Sequence, residues 1–579
     1  MSKNRDIDAL SMKHYNDIVA TLLAKAASIP VAQALPLIEF PPKPEQGDRA
    51  IACFSFAKTL QKSPQEIAAT WADRIRSQGL PDEIARVDVQ GGYLNFFFST
   101  PKFAQDLLTE VLSQKTSFAK TSIDPKQTAV IEYSSPNIAK PFSIGHLRST
   151  NLGACLSRVY TYLGWNVQRI NHLGDWGTQF GKLITAYRKW GNAQDFDQDP
   201  IDYLFKLYVR FHEEEKDNPQ LTIEAREAFS MLEKGDENAK ELWEWFRSLS
   251  LKELHALYSK LGVEFDHIWG ESFYIDQLPA LLQTLHDKNL SKLDDGALIV
   301  DLKEQNLSVA VLQKGDESSL YITRDLAAAI YRFQEFAFTK MIYVVGSEQS
   351  LHFQQIFSIL QLAGYDFYDR CQHVAFGQIT FGNEKMSTRK GNVVFLKDVL
   401  ARAEEKALSI VQEKNPDLEH PQVVAEKVSL AAILFADISA KRIKNVKFDW
   451  DEILSFEGET GPYLQYSYAR AQSLMKKWEQ DLRPIEDFSV FTDPAELKLL
   501  KTASQYVFAL EKVVQENEPF YLGKYLLDLT KDFNRFYQAC RIVGEEDAIG
   551  NARASLVQAT SYVLASGMSL LGIPTLEKM

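Results

Sequence analysis

Cysteine is scarce in the 579-residue chain, and long apolar runs are missing. The four cysteines, Cys53, Cys155, Cys371 and Cys540, lie far apart and form no C-x2-C pair, which argues against a disulfide framework and against a cysteine-rich zinc site. No uninterrupted apolar stretch approaches the roughly 20 residues that cross a bilayer. The opening residues, MSKNRDIDALSMKHYNDIV, mix apolar with charged residues and contain no small-residue cleavage site. We therefore expect a soluble, cytoplasmic protein that does not bind membranes.

Positive charge is also in deficit. The chain carries 64 Lys and Arg residues against 77 Asp and Glu residues, a formal net charge of -13. Nucleic-acid binding needs concentrated positive charge, so only local basic runs favour it. Two such runs are KMSTRKG (385–391) and AKRIKNVK (440–447). A basic track on an acidic body explains them, and a solvated charged face explains each run equally well.

Two common nucleotide-binding signatures are absent from the sequence. The nearest string to a phosphate-binding P-loop, GTQFGKL (177–183), has too few residues between its glycines and lacks the hydroxyl that would hold magnesium. No G-x-G-x-x-G string follows the first predicted strand of the central region, which disfavours a dinucleotide site. Any nucleotide must therefore be bound in another way.

Hydrophobic patterning divides the chain into three predicted domains. Residues 1–120 combine helical spacing with the strand-like run GGYLNFFF (91–98), which predicts a small α+β domain. Residues 121–420 alternate strand-like runs with helical segments, which predicts a Rossmann-type α/β domain whose parallel sheet uses the runs 129–133, 167–171, 297–300 and 341–345. A charged segment at about 191–275 has only helical periodicity and is predicted as a helical insertion. Residues 421–579 are predicted to form an all-α helical bundle.

The loop SSPNIAKPFSIGHLRST (134–150) joins the first of these runs to a helical pattern. This arrangement puts Gly145 and His146 at a helix N-terminus, where free amides and the helix dipole favour a phosphate. Gly145 lets a base or ribose approach the backbone, His146 can donate a hydrogen bond to phosphate, and Lys140 adds positive charge. On its own, the pair is better explained by structural capping of a helix, so a second element is required.

That element is KMSTRKGNVVF (385–395), a glycine-containing loop whose cations would stabilise the charge that develops as pyrophosphate leaves. The two loops resemble the H-I-G-H and K-M-S-K-S signatures of class I aminoacyl-tRNA synthetases. Ser143 stands where the first histidine would be, and Thr388 where the second lysine would be. The resemblance implies that ATP is bound by Ser143, Gly145, His146, Lys385 and Ser387. It also implies that Lys140, Lys390 or Arg389 supplies the missing charge, with His146, Lys385, Lys140 and Lys390 as catalytic residues.

Longer strings are similar to the arginyl-tRNA synthetase family over nearly the whole chain. They are EYSSPNIAKPF (132–142), NHLGDWGTQFGKLI (171–184), YITRDLAAA (321–329), ETGPYLQYSYARAQSL (459–474), FNRFYQACRIV (533–543), LLGIP (570–574) and, near the N-terminus, KPEQGDRAIACFSFAK (43–58). The resemblance implies that L-arginine and ATP form arginyl-adenylate and pyrophosphate, generally with tRNA bound, and that the arginyl group then passes to tRNA(Arg). It further implies an N-terminal tRNA-binding domain, an anticodon-binding tail, Mg²⁺ that enters with ATP, no tightly bound cofactor or resident metal, and a monomer.

A guanidinium group calls for a planar carboxylate fork. By motif position, the resemblance assigns Glu132, Tyr321 and Asp325 to the guanidinium, and Asn137 and Gln349 to the α-amino and carboxylate groups of arginine. Each of these residues, taken singly, also has an ordinary structural explanation, such as a strand-end acid facing water.

Two other hypotheses stay open at this point. One is a class I synthetase for another amino acid, although the cysteine branch would need clustered zinc-binding cysteines. The other is an inactive tRNA-binding paralogue, supported by Ser143 and Thr388.

Aromatic residues of the tail at 526–540 recur at helical spacing and are predicted to lie mostly in the core. The tyrosines at 463–468 are better candidates for contact with bases.

We predict that Lys385→Ala lowers the rate of adenylate formation more than it weakens ATP binding, because its charge acts mainly in the transition state. Single-turnover adenylate formation, measured beside the dissociation constant of ATP, tests this. An equal change in the two quantities would count against a transition-state role.

Overall fold

The computed structural model describes residues 11–41, 43–192, 199–315, 320–381, 394–478 and 480–579. The N-terminal region packs helices on one antiparallel sheet, whose strands run in the order β1-β2-β4-β3. Its elements are α1 (Ser11–Ala27), α2 (Val31–Ala34), β1 (Ile38–Glu39), β2 (Arg49–Ala52), α3 (Ala57–Leu60), α4 (Pro64–Ser77), β3 (Ile84–Gln90), β4 (Tyr93–Phe98) and α5 (Thr100–Gln114).

Helix α4 shows how local sequence sets an element of this region. Ser63 accepts a hydrogen bond from the Glu66 amide at 3.2 Å, and the Glu66 carboxylate accepts one from the Ser63 amide at 2.9 Å. This capping box satisfies two amides that a helix start leaves free, and Pro64 fits the first helical position. The helix then buries Ile67, Trp71 and Ile75 against the sheet.

The central region is an α/β unit with helices on a parallel sheet. Its helices are α6 (Ile144–Tyr162), α7 (Thr178–Trp190), α8 (Pro200–Glu214), α9 (Gln220–Glu233), α10 (Glu237–Leu261), α11 (Leu278–Asp287), α12 (Tyr321–Phe336), α13 (Ser350–Leu362) and α14 (Leu396–Lys414). Its strands are β5 (Asp124–Glu132), β6 (Trp165–Asn171), β7 (His267–Ile268), β8 (Ser291–Asp294), β9 (Ala297–Val300), β10 (Ala310–Gln313), β11 (Lys340–Tyr343), β12 (Cys371–His373) and β13 (Ile379–Phe381).

Five of these strands form the parallel sheet, in the order β12-β11-β5-β6-β7. Ala129, Val130 and Ile131 of β5 are fully buried, as expected of a strand covered on both faces. After β5 the chain turns to β6 on one side, and it later returns to β11 on the other. Strand order therefore reverses at β5, and ligands bind parallel sheets in the crevice at the carboxyl end of such a point.

The predicted fold class is confirmed, but two details of the sheet were wrong. Strand β9 does not join the parallel sheet, since it lies in a separate antiparallel sheet of order β10-β9-β8. The turn from β8 to β9 has Asp295 and Gly296 both at positive φ, 46° and 78°, and an Asp-Gly pair of this kind predicts a hairpin. The predicted helical insertion contains α8, α9 and α10, but it also contains β7, which at two residues is too short to leave a pattern.

The C-terminal region is helical apart from one short strand. Its elements are α15 (Pro421–Ile438), β14 (Val446–Phe448), α16 (Trp450–Ile453), α17 (Gly461–Trp478), α18 (Pro494–Ala503), α19 (Tyr506–Glu516), α20 (Phe520–Ala539) and α21 (Asp547–Leu570). Strand β14 pairs in parallel with β13 of the central region. Phe533 and Phe536 are fully buried, which confirms that they are core residues, whereas Tyr466 and Tyr537 are exposed.

A buried ion pair fastens α6 to α15. The Arg148 guanidinium is inaccessible to solvent and donates from Nε to Asp437 Oδ1 at 2.7 Å. The same guanidinium donates to the carbonyl oxygens of Gly377 at 2.8 Å and Lys444 at 2.7 Å. Asn151, one turn further along α6, donates to the other Asp437 oxygen at 2.9 Å. The central and C-terminal regions are thus joined by charge-assisted hydrogen bonds as well as by apolar packing.

Within the described ranges, no single helix has both the length and the apolar composition needed to cross a membrane. One N-terminal pair, Met12–Ala27 with Val31–Leu37, passes that test jointly but is bent by 109°.

We predict that Asp437→Ala destabilises the protein by about 3–5 kcal/mol, because Arg148 would keep a buried charge without its counter-ion. Denaturant unfolding followed by tryptophan fluorescence measures the shift. Asp88→Ala is the matched control, since Asp88 pairs with Arg86 at an exposed position and should cost less than about 1 kcal/mol. Equal shifts for the two variants would contradict a stabilising role for the buried pair.

Candidate active site

The loop between β5 and α6 has an unusual backbone conformation. Ser134, Ser135 and Ala139 all have positive φ, at 70°, 46° and 58°. Such conformations are costly for residues other than glycine and persist only where the surroundings enforce them. Two of these residues are fixed by side chains, since the Ser134 amide donates to Ser149 Oγ and the Ala139 amide to Ser250 Oγ, both at 2.9 Å. Helices α6 and α10 therefore hold the loop in shape.

His146 lies in the first turn of α6, as the sequence predicted. Its Nδ1 accepts a hydrogen bond from the Ser143 amide at 3.1 Å, and Ser143 Oγ lies 3.2 Å from the same nitrogen. Burial, together with the charge of Lys140, lowers the pKa of His146 to about 4. The ring is thus neutral at physiological pH with its proton assigned to Nε2, which makes Nε2 a hydrogen-bond donor.

Gly145 and Lys140 leave the start of α6 accessible and positive. Gly145 is exposed, and the atom nearest to a Cβ built on it is Ser143 Oγ at 3.4 Å. Lys140 is half-buried, with Nζ 4.6 Å from the centre of the Tyr208 ring, and burial lowers its pKa. A phosphate group could approach the backbone here without meeting a side chain.

The predicted residues of the second signature, Lys385, Ser387, Thr388, Arg389 and Lys390, lie outside the described residues. The chain that follows them is described from Val394 onward, and it pairs with the start of α6. The Ile144 amide donates to the Val394 carbonyl at 3.1 Å, and the Leu396 amide donates to the Phe142 carbonyl at 2.9 Å. The end of one signature segment is therefore bonded to the other.

Asp325 lies one turn after Tyr321 on α12, between two histidines. Its Oδ2 is 2.6 Å from His352 Nε2, and its Oδ1 is 3.3 Å from His172 Nε2. Burial opposes ionisation of Asp325, but the contacts with His172 and His352 outweigh it and hold the pKa of this carboxyl well below its usual value. For His172, burial is likewise outweighed, by Glu132 and Asp325, and its pKa is raised. Asp325 is therefore a half-buried carboxylate that stays ionised.

Glu271 is a second carboxyl group near Asp325, and it is buried. Burial raises the pKa of Glu271 to about 7; the charges of Arg324 and His172 oppose this shift, and that of Asp325 adds to it. The Arg324 Nε atom is 3.3 Å from Glu271 Oε2, yet this oxygen has no hydrogen-bond partner among the described residues. A carboxylate oxygen with this surplus capacity can accept a ligand N–H.

Asp175, from the GDWGTQFG string, places Glu271. The Asp175 carboxylate accepts hydrogen bonds from the Ser272 amide and the Ser272 hydroxyl, both at 2.9 Å, and from Arg247 Nε at 3.0 Å. Gly270 packs so closely on this carboxylate that an added Cβ would collide with it. The acid therefore anchors the turn that carries Glu271 into the site.

Glu132 ends β5, as predicted. Its Oε2 lies 2.5 Å from Arg332 Nη1, and the Arg332 side chain is fully buried. Arg332 also donates from Nε to the Tyr274 hydroxyl at 3.1 Å. Glu132 is thus a member of an internal ion pair rather than a strand-end acid facing water.

Two of the remaining predicted residues follow the carboxyl ends of neighbouring strands, β5 and β11. Asn137 is exposed in the loop after β5, and its side chain packs on Gly174 so closely that an added Cβ there would collide with it. Gln349 is exposed at the N-cap position of α13, after β11, and its side chain makes no capping hydrogen bond. Tyr321, the first residue of α12, is 54% exposed. All three are therefore available to a ligand in this crevice.

Three family models match the chain. The tRNA synthetases class I (R) catalytic domain matches residues 107–450, the arginyl tRNA synthetase N terminal domain matches 13–98, and the DALR anticodon binding domain matches 464–579. The chain belongs to the arginyl-tRNA synthetase family. It is a class I arginine–tRNA ligase, whose substrates are ATP, L-arginine and tRNA(Arg), as predicted.

Relatives match over almost the full length. The arginine–tRNA ligases of Alkaliphilus metalliredigens and Clostridium perfringens are each 43% identical to this chain, over 98% of it and 100% of their own length. The arginyl-tRNA synthetase structure from Thermus thermophilus superimposes with a TM-score of 0.84 at 27% identity, over 98% of this chain and 100% of that one. The Plasmodium falciparum arginyl-tRNA synthetase, at 24% identity and a TM-score of 0.79 over 98% and 99% of the two chains, shares the fold. These matches exclude a synthetase for another amino acid.

Sequence reasoning missed Glu271, His172 and His352. His172 and Asp175 lie inside the NHLGDWGTQFG string that the sequence singled out, so that string held a signal that was not assigned to single residues. Glu271 follows a glycine at the end of the short strand β7, and nothing in its neighbourhood marks it as a partner of Asp325.

We predict that the His146 ring does not titrate between about pH 5.5 and 8, because burial and Lys140 disfavour the imidazolium. NMR of protein with ¹³C-labelled histidine follows the ring carbons against pH, and a His146→Gln spectrum assigns the resonance. A midpoint above pH 6 for this resonance would contradict the neutral donor.

Proposed function

We propose that Asp325 and Glu271 form the fork that binds the guanidinium of arginine, and that the start of α6 binds ATP. One observation carries the first half of this proposal. The buried Glu271 and the half-buried Asp325 lie close enough for the charge of Asp325 to raise the pKa of Glu271, and both influence the pKa of the exposed Tyr321. A planar cation with five N–H donors suits such a pair.

We favour Glu271 over Glu132 as the second carboxylate of the fork. Glu132 already shares a hydrogen bond with Arg332, whereas Glu271 has an oxygen without a hydrogen-bond partner among the described residues. Glu132 would then act at a distance, because its charge raises the pKa of His172 beside Asp325. Tyr321, whose ring is largely exposed, would cover the guanidinium, and Asn137 and Gln349 would bind the α-amino and carboxylate groups of arginine.

For ATP, we propose that His146 Nε2 and the free amides of α6 bind phosphate oxygens, that Ser143 orients His146, and that Gly145 gives the nucleotide access. Lys140 would add charge from the side. Lys385, Ser387 and Lys390 would stabilise the departing pyrophosphate, a role supported by their motif positions and by the bonds that join 394–396 to 142–144. Mg²⁺ would enter as part of the ATP substrate, since triphosphates carry it with most of its water shell.

In the proposed reaction, an oxygen of the arginine α-carboxylate attacks the α-phosphorus of ATP. The bond to the bridging oxygen of pyrophosphate breaks, and pyrophosphate leaves with that electron pair. A hydroxyl of the terminal adenosine of tRNA(Arg) then attacks the carbonyl carbon, and AMP leaves. The fixed cations and amides act where negative charge develops, which is the usual source of such rate enhancement.

We further propose that the chain works as a monomer in the cytoplasm and divides into domains at residues 1–120, 121–420 and 421–579. The four cysteines are free thiols, which suits a reducing compartment. The N-terminal and helical domains would contact tRNA.

The first experiment is ATP–pyrophosphate exchange with arginine, with and without tRNA(Arg) and with lysine as a control. Asp325→Ala and Glu271→Gln are each expected to raise the KM for arginine by about 100-fold or more, because a buried charge pair with the guanidinium is lost. The KM for ATP should change little. No exchange with the unaltered protein under any condition, despite tight tRNA binding, would indicate the inactive tRNA-binding paralogue.

Glu132→Gln separates the two candidate carboxylates and should leave the KM for arginine near that of the unaltered protein. The opposite pattern, with Glu132→Gln impaired and Glu271→Gln unaffected, would show that Glu132 rather than Glu271 is the second carboxylate that binds the guanidinium. We also expect kcat/KM for arginine to fall as the pH drops below about 7, since protonation of Glu271 removes its charge. Glu271→Gln should abolish that step, and a step that persists in this variant belongs to another group.

A further inference from the structure

Asp325 lies between imidazoles from two different elements. It is hydrogen-bonded to His352 and in ion-pair contact with His172, whose Nε2 has no hydrogen-bond partner among the described residues. His352 belongs to the first turn of α13, and His172 follows the carboxyl end of β6. The two Nε2 atoms lie 2.6 Å from Oδ2 and 3.3 Å from Oδ1. A carboxylate contacted at both oxygens presents its remaining lone pairs in a fixed plane.

His172 is itself fixed from behind. Its Nδ1 lies 3.0 Å from the carbonyl oxygen of Trp269, an acceptor, so this nitrogen carries a proton. The ring packs against Tyr274 with 5.6 Å between ring centres, and it is 8% exposed. The ring cannot rotate without losing these contacts, so the direction of its Nε2 toward Asp325 is set by the sheet.

Orientation matters for a guanidinium more than for an ammonium group. The side-chain torsion that rotates an aspartate carboxylate is broad, so the plane of an unrestrained carboxylate is poorly defined. A guanidinium binds two oxygens through parallel N–H bonds in one plane, whereas a lysine ammonium is a point charge that accepts many directions. Restraining the plane therefore favours arginine selectively.

We propose that His352 and His172 are positioning residues that fix the plane of the Asp325 carboxylate and thereby select a guanidinium over an ammonium side chain. This inference rests on the proposed role of Asp325 in binding arginine. It assigns His352 no contact with the reacting atoms, so its loss should weaken arginine recognition without slowing the chemistry.

The test compares three substitutions of His352. Glutamine can place an amide N–H where Nε2 lies, asparagine is too short to do so, and leucine has no donor. We expect His352→Leu and His352→Asn to raise the KM for arginine by about tenfold to hundredfold, as for loss of a hydrogen bond to a charged group. His352→Gln should stay within about threefold of the unaltered protein. In all three variants kcat and the KM for ATP should stay near their original values.

A second readout is the ratio of kcat/KM for arginine to that for lysine in pyrophosphate exchange. This ratio should fall in His352→Leu and His352→Asn and be restored in His352→Gln. His286→Leu, at an exposed position on α11, is the matched control and should change neither quantity. If His352→Leu fails to fold, the comparison of His352→Gln with His352→Asn still tests the inference, since these two substitutions are the smaller changes at a half-exposed site.

An unchanged KM for arginine in His352→Asn would overturn the inference, as would equal losses in the Gln and Asn variants. A matching rise in the KM for ATP would also overturn it, because a general structural defect would then explain the effect. If Asp325→Ala impairs arginine binding while the His352 variants do not, only this inference fails. If Asp325→Ala itself has no effect, the proposed fork fails with it.

Discussion

The ion pair between Arg148 and Asp437 lies where helix α6, the chain before β13 and the C-terminal helical region meet. Arg148 is two residues beyond His146 on α6, and its guanidinium also binds the carbonyls of Gly377 and Lys444. One buried cation thus joins α6, the helix proposed to bind ATP, to the chain entering β13 and to the helical region. Because a buried charge without its partner is strongly unfavourable, separating these segments would cost a large free energy. The geometry at the start of α6 depends on that restraint.

A second layer of buried charge surrounds the proposed arginine pocket. Glu132 pairs with Arg332, Asp175 with Arg247, and Asp325 with two histidines, so each acid has been given a structural partner. Glu271 also has an ion-pair contact, since Arg324 Nε lies 3.3 Å from its Oε2, but this oxygen has no hydrogen-bond partner among the described residues and burial raises the pKa of Glu271 to about 7. Glu271 therefore keeps capacity to accept a hydrogen bond from a ligand.

Sequence reasoning succeeded where function depends on short local patterns. The position of Ser143, Gly145 and His146 at a helix start followed from periodicity and from the preceding strand, and the burial of Phe533 and Phe536 followed from helical spacing. It failed where a residue's neighbour comes from a distant part of the chain. A four-residue apolar run at 297–300 carries no information about its neighbouring strand, and β7 is too short to have a period at all.

The family, the reaction, the fold class and the residues at the start of α6 follow from the sequence alone, because these depend on motifs and on periodicity within continuous segments. Which carboxylates lie near one another is visible only in the folded structure. Glu132, Glu271 and Asp325 are far apart in sequence. Their ion-pair partners Arg332, His172 and His352 come from α12, from the end of β6 and from α13. Electrostatic roles depend on distance and burial in space, and these quantities exist only once the sheet has brought its strand ends together.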